Sequence, residues 1–265
     1  MLNRKRITIL ALLLLVIGVI GALMTYQSFA DSEPVTEEII FNETITDIIV
    51  ESDNSKIEFI PSAEESAKVE FLYDTSNKSR YKFEAAVENG ELKVKLKEKI
   101  LQFFNFDFNL KSFAIKIHLP EQTYESITAK TVNGKITIDQ IIADSIEGES
   151  TNGSITLKDL RTQKVITKTE NGKINLQAVE GELQAKATNG RIELDTDHMD
   201  RAIDFETVNG KLIIHTEETP KNAEIRAEVV NGSVNIFGEK NQHTIIGDGA
   251  NKINLKTVNG SITVE

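Results

Sequence analysis

Reactive side chains are few and scattered. The histidines are His118, His198, His215 and His243, none at metal-ligand spacing from another, and the chain has no cysteine. Disulfides and thiolate metal sites are therefore impossible. No phosphate loop, nucleophile elbow or His-Glu-x-x-His helix occurs. Gly247-Asp248-Gly249 reads as a turn rather than an ion loop, because calcium loops need several spaced carboxylates. Polysaccharide-cleaving β-helices need acidic residues clustered on one face. Here Lys130, Glu149, Lys168, Lys186, Glu206, Glu228 and Lys256 recur at one repeat position and mix both signs. The chain thus reads as a non-enzyme with no metal and no cofactor. What remains is binding chemistry. Lys135, Lys173, Arg191 and Lys211 recur at one outward position. With Lys168 and Lys186 they can form a basic stripe that tracks a polyanion, such as teichoic acid or another wall polymer. The plainer alternative is a solvated charged face that keeps a sheet soluble. A second feature is aromatic. Phe104, Phe106 and Phe108 alternate onto one strand face and Phe103 points the other way, with Phe113 beyond. They form either a docking patch or the packing of a capping region.

The elements that must position these side chains come from seven copies of one pattern. Asn-Gly pairs stand at Asn133-Gly134, Asn152-Gly153, Asn171-Gly172, Asn189-Gly190, Asn209-Gly210, Asn231-Gly232 and Asn259-Gly260. The first five are 18 to 20 residues apart; the last two steps lengthen to 22 and 28. With Asn as position 0, apolar residues recur at −6, +3 and +5, and −2 is Thr, Ser, Ala or Val. Each repeat is thus two short strands alternating in and out, with a turn between them. Asn and Gly tolerate positive φ, which would explain their place at the corner. A hairpin meander and a β-solenoid both fit this unit. The steady period, small interior residues near the corner, and a further apolar residue at +8 (Ile141, Leu160, Val179) favour the solenoid. The fold class expected is all-β, a parallel β-solenoid of about 19-residue coils, whose identical asparagines can form a hydrogen-bonded ladder. Weaker copies occur at Asn89-Gly90, with Leu92 and Val94 in register, and around Asn54.

The ends set the compartment. Arg4, Lys5 and Arg6 precede an uncharged stretch, residues 7–26, long enough as a helix to cross about 30 Å of hydrocarbon. Basic residues before the span place the N-terminus in the cytoplasm and the rest outside. Ser28-Phe29-Ala30 resembles a signal-peptidase site, so a retained anchor and secretion after cleavage following Ala30 both stand. The expected organisation is a basic tail 1–6, an anchor 7–26, a linker 27–38, an irregular β-rich capping region 39–125 and the regular solenoid 126–265. Beyond residue 30 the chain carries 27 basic and 41 acidic side chains, a net of −14, which opposes nucleic acid as a partner.

A basic start, one span, a β-rich region, His118-Leu119-Pro120 and serial Asn-Gly-x-Ile coils together resemble the bacterial putative-adhesin family of envelope proteins. The likeness is greatest to LiaG-type members, of the Lia cell-envelope stress system in Gram-positive bacteria. It covers nearly the whole chain. It implies a right-handed β-helical solenoid outside the membrane, with no established catalytic residues. It further implies an accessory or sensing role in an envelope-stress response; an adhesin or wall-polymer binding module is the alternative.

Overall fold

Isoleucine, valine and leucine at every second position leave each strand one apolar face, which can be buried only against a second such face. The chain satisfies this by winding. The structure, a computed structural model, describes residues 12–20, 34–74, 81–98 and 113–265. Among the described residues, nineteen strands form one continuous sheet that turns at each Asn-Gly corner. Two runs of strands face each other across the core. In the run before the corner, 123–131, 142–150, 161–171, 182–189 and 203–209 pair parallel and in register, Ile127 with Ile146, Ile146 with Val165, Val165 with Leu183 and Leu183 with Ile203. After the corner, Ile136, Ile155, Ile174, Ile192 and Leu212 stack likewise. All these side chains are buried, each contributing roughly 1.5–3 kcal/mol of burial free energy. Strands directly bridging each corner in antiparallel fashion are absent among the described residues, so the unit is a parallel coil and not a meander hairpin.

A second corner follows at +7. Gln140, Asp159 and Ala178 adopt φ of +56°, +51° and +47°, and the next residues, Ile141, Leu160 and Val179, are buried. The +8 apolar signal therefore marks a real inward turn.

The stack is not in chain order at its ends. The strand Asn251–Val264 pairs on one side with Ile203–Asn209 and Leu212–Thr216, and on the other with Ala223–Ile236. The seventh repeat is thus inserted between the fifth and sixth. This accounts for the 22- and 28-residue spacings: the chain skips one coil's height, then returns to fill it. The other end repeats the device. The coil 47–62, with Asn54-Ser55 at its corner, lies between the later strands 91–98 and 113–120 on one side and 123–139 on the other. Antiparallel strands then cover the exposed edges: Pro34–Phe41 with Ala67–Asp74, Tyr81–Glu88, and His243–Ile246. Such covers protect open sheet ends from foreign strands.

Three expectations change. Asn89-Gly90 is not a coil corner: Tyr81–Glu88 and Glu91–Glu98 pair antiparallel across it, and both residues have positive φ, +52° and +81°. Leu92 and Val94 stack on Ile48 and Val50, before-corner positions, rather than on after-corner ones. The corner glycines need another explanation, because Gly134, Gly153, Gly172, Gly190, Gly210 and Gly260 lack positive φ. Consecutive corners are instead too close for a side chain. A Cβ on Gly172 would lie 2.0 Å from the Gly153 carbonyl oxygen, and one on Gly190 would lie 1.7 Å from that of Gly172. Finally, a helix covers 12–20 with its large aliphatic side chains exposed. No helix among the described residues is long and apolar enough to cross a membrane; the remainder of the expected anchor 7–26 lies outside them.

Candidate binding face along the asparagine corner

The corner column is built from local chemistry repeated at strand spacing, about 4.8 Å per coil. Each asparagine donates from Nδ2 to the Oδ1 of the coil before it in space. The bonds run Asn133 to Asn54 (2.7 Å), Asn152 to Asn133 (2.8 Å), Asn171 to Asn152 (2.8 Å) and Asn189 to Asn171 (2.9 Å). They continue Asn209 to Asn189 (2.8 Å), Asn259 to Asn209 (2.8 Å) and Asn231 to Asn259 (2.9 Å). The inward −2 hydroxyls satisfy the corner carbonyls: Ser150 donates to Gly134 O, Thr169 to Gly153 O, Thr207 to Gly190 O and Thr257 to Gly210 O. Position −2 is small because the core narrows there, and in five of the seven repeats it carries a hydroxyl, because a buried carbonyl left without a partner is costly.

Outward of this spine, register turns the sequence's basic residues into columns. Ile57 stacks on Ile136, so Lys56 precedes Lys135, and the order continues Ser154, Lys173, Arg191, Lys211. Lys135, Lys173 and Lys211 are exposed and have no ion-pair partner among the described residues. Arg191 Nε is 3.3 Å from Glu193, and Lys56 is 2.6 Å from Glu58. Lys168 and Lys186, expected in the same stripe, lie on a different column. There the spatial order is Lys95, Glu51, Lys130, Glu149, Lys168, Lys186, Glu206, Lys256, Glu228. Lys168 reaches Glu149 at 3.4 Å and Lys186 reaches Glu206 at 3.2 Å. Chain order would set Glu206 beside Glu228; insertion of the last coil places Lys256 between them. Signs then alternate everywhere except at Lys168–Lys186, a pattern that favours this coil order by cross-strand attraction.

The aromatic candidates Phe103, Phe104, Phe106 and Phe108 lie outside the described residues. Phe113, next in the sequence, is buried against Phe71 and Tyr81, with ring centroids 6.2 Å and 4.2 Å apart.

The histidines separate. His118 sits 3.3 Å from Glu70, His215 3.2 Å from Glu265 and His243 2.9 Å from Glu224. His198 is exposed. Glu224 is a residue that sequence reasoning missed. Buried at the start of the sixth repeat, it accepts bonds from Lys252 (2.5 Å) in the inserted coil, Arg226 (2.8 Å) and His243 (2.9 Å) in the covering strand. Lys252, then Arg226 and His243, pull its carboxyl down from 4.5 to about 2. No sequence signal marks it, since its partners lie 2, 19 and 28 residues away. Gly247 and Gly249 have φ of +62° and +68°, a turn that brings the chain back into the stack.

Several solved structures are similar to this chain at low identity. One described as a putative cell adhesion protein from Clostridium sporogenes is 18% identical, covers 88% of this chain and 99% of its own, and superposes with a TM-score of 0.40. One described as a putative adhesin from Bacteroides fragilis is 14% identical over 88% and 97%, with a TM-score of 0.47. No curated protein matches the sequence. The sequence signature of the Toastrack DUF4097 family matches residues 45–177 and again 136–265, both stretches running through the coils described above. The chain belongs to the Toastrack DUF4097 family.

Proposed function

We propose that the chain is a non-catalytic, extracytoplasmic binding module of the bacterial cell envelope, tethered through residues 7–26, whose corner face engages an anionic wall polymer such as teichoic acid. One observation carries this reading. On a body of net charge −11, register places Lys56, Lys135, Lys173, Arg191 and Lys211 in one column beside the asparagine ladder. Three of those cations have no carboxylate partner among the described residues. A rigid row of cations, interrupted by Ser154, suits a polymer with repeating phosphates better than a compact ligand, because many weak contacts add along the row. The adhesin wording of the structures above is in keeping with it.

The test is co-sedimentation of the full-length protein, in detergent, with purified teichoic acid. The triple variant Lys135→Ser, Lys173→Ser, Lys211→Ser should bind at least about tenfold less while unfolding at an unchanged temperature, since exposed substitutions cost within about 0.5 kcal/mol. Binding should weaken with salt, as screening requires. Undiminished binding by the triple variant sinks the proposal.

The second reading is an accessory or sensing part in a Gram-positive envelope-stress response, favoured by the resemblance to LiaG-type proteins over nearly the whole chain. If cells lacking the chain induce a stress reporter normally when challenged with wall antibiotics, that reading fails.

A further inference from the structure

We infer that the after-corner face near the C-terminal end holds a site for a divalent transition-metal ion of the zinc class, built by Glu193, Asp195 and His215. One ligand atom from each of the three lies within 4.8 Å of the other two. Asp195 and His215 are direct partners in adjacent parallel strands, and Glu193 is two residues before Asp195 on the same face. Strand geometry alone therefore converges them: side chains at i and i+2 share a face, and in-register neighbours stand about 4.8 Å apart.

The surroundings favour a cation over a simple ion pair. Glu265 Oε1 lies 3.2 Å from His215 Nδ1. With a carboxylate at Nδ1, Nε2 is the ring nitrogen left to face a cation. This is the arrangement by which an outer carboxylate fixes the tautomer and raises the basicity of a metal-binding imidazole. Glu265 reaches this position only because the last coil is inserted beside the fifth: Thr216 N donates to Glu265 O, and Glu265 N to Ile214 O. On the other side, Asn175 pairs in register with Glu193, and its Oδ1 is shielded from solvent without a hydrogen-bond partner. An orphaned oxygen in register with Glu193 is a natural further donor. Asp197 and Glu217 line the adjoining shallow depression with Gln177, Asp195 and His215, adding negative charge. Arg191 engages Glu193 at 3.3 Å through Oε2, which leaves Oε1 available.

A tetrahedral zinc site with ~2.1 Å bonds sets its ligand atoms ~3.4 Å apart, against the 4.8 Å within which these three lie. The mixed nitrogen and oxygen set suits zinc-class ions rather than calcium, which takes oxygen alone.

The experiment is calorimetric titration of the full-length protein in detergent with Zn2+ alone, alongside thermal unfolding. The wild type should bind one ion and unfold at a higher temperature with it. His215→Gln and Asp195→Asn should each weaken binding at least about tenfold, and Glu265→Gln by about tenfold through the imidazole. His198→Gln, an exposed histidine outside the cluster, should bind like the wild type. All four variants should unfold like the wild type without zinc, so that lost binding is not lost folding. Absence of saturable binding by the wild type overturns the site, as does His215→Gln binding normally or His198→Gln binding as poorly as His215→Gln.

Discussion

At Asn89-Gly90 the chain reverses into an antiparallel hairpin, whereas at Asn171-Gly172 it turns a corner and runs on into the next parallel coil. The dipeptide is the same; the physical demand on glycine differs. Gly90 has φ of +81°, and the nearest atom to a Cβ there is the Thr46 hydroxyl at 3.2 Å. Gly172 has no unusual φ, but a Cβ would fall 2.0 Å from the backbone of the coil below. Glycine serves for its freedom at the first and for its lack of volume at the second. The asparagines differ too. Asn171 is a rung in a seven-bond ladder, while Asn89 adopts a left-handed turn conformation, with φ of +52°. Ser55 occupies the glycine position of the first coil, and it is the next coil's Gly134 whose Cβ would fall 1.9 Å from the Ser55 carbonyl oxygen.

The largest effect should come from Gly172→Ala. Its methyl meets a carbonyl that cannot move without parting two coils, so the loss should reach or exceed the upper end of the roughly 1–3 kcal/mol usual for overpacking. Gly172→Asn should be as damaging, because volume is the problem. Denaturant unfolding measures both; a loss under about 0.5 kcal/mol would remove the close-approach explanation.

At Gly90 the comparison inverts. Gly90→Ala should cost about 1–2 kcal/mol through its left-handed backbone, whereas Gly90→Asn should cost clearly less, since asparagine tolerates that conformation. Equal costs for Ala and Asn at both sites would erase the distinction between the two turns.

The ends of the stack can be compared with its middle through Glu224, whose partners join the sixth repeat to the inserted seventh. Its carboxyl is held below its ordinary value, at about 2. Such a group adds stability above its unfolded value near 4.5, and that stability is lost as pH falls from there through about 2. Glu224→Gln should therefore unfold at a lower temperature than the wild type at pH 7, and the gap should close between pH 4.5 and 2. A gap that widens on acidification contradicts the clasp.

The smallest effect concerns the order of the coils. Lys256→Glu would set three carboxylates in a row from Glu206 to Glu228, costing up to about 1 kcal/mol and less at high salt. Combined with Glu206→Lys, it should show favourable coupling in a double-mutant cycle, because the two positions are direct partners. Zero coupling would mean that the seventh coil does not lie on the fifth.

Much of this molecule is legible in its residues. Alternation of isoleucine with threonine, lysine and glutamate marks each strand and the face it buries. The fixed Asn-Gly spacing implies a stacked coil, and identical polar residues at one position imply a ladder. These are local matters, decided within about ten residues by side-chain period and turn chemistry. The same residues mislead where one local pattern serves two long-range arrangements. Asn89-Gly90 satisfies the repeat pattern as well as a hairpin does, and only pairing of Tyr81–Glu88 with Glu91–Glu98 selects the hairpin. Lys168 and Lys186 share a repeat position with Glu149 and Glu206, and register sets them beside those carboxylates rather than in the basic column.

Local residue chemistry, then, settles the coil: its strands, its corner, its inward and outward sets. Tertiary structure alone decided which coil lies on which. Asn259 is bonded to Asn209, 50 residues back, and not only to its sequence neighbour Asn231. Every coil offers nearly the same apolar faces, so local preference cannot rank the possible orders. Contacts that exist only after stacking distinguish them: the alternating charges along Glu206, Lys256 and Glu228, the burial of Glu224 against Lys252, Arg226 and His243, and the meeting of Asp195, His215 and Glu265.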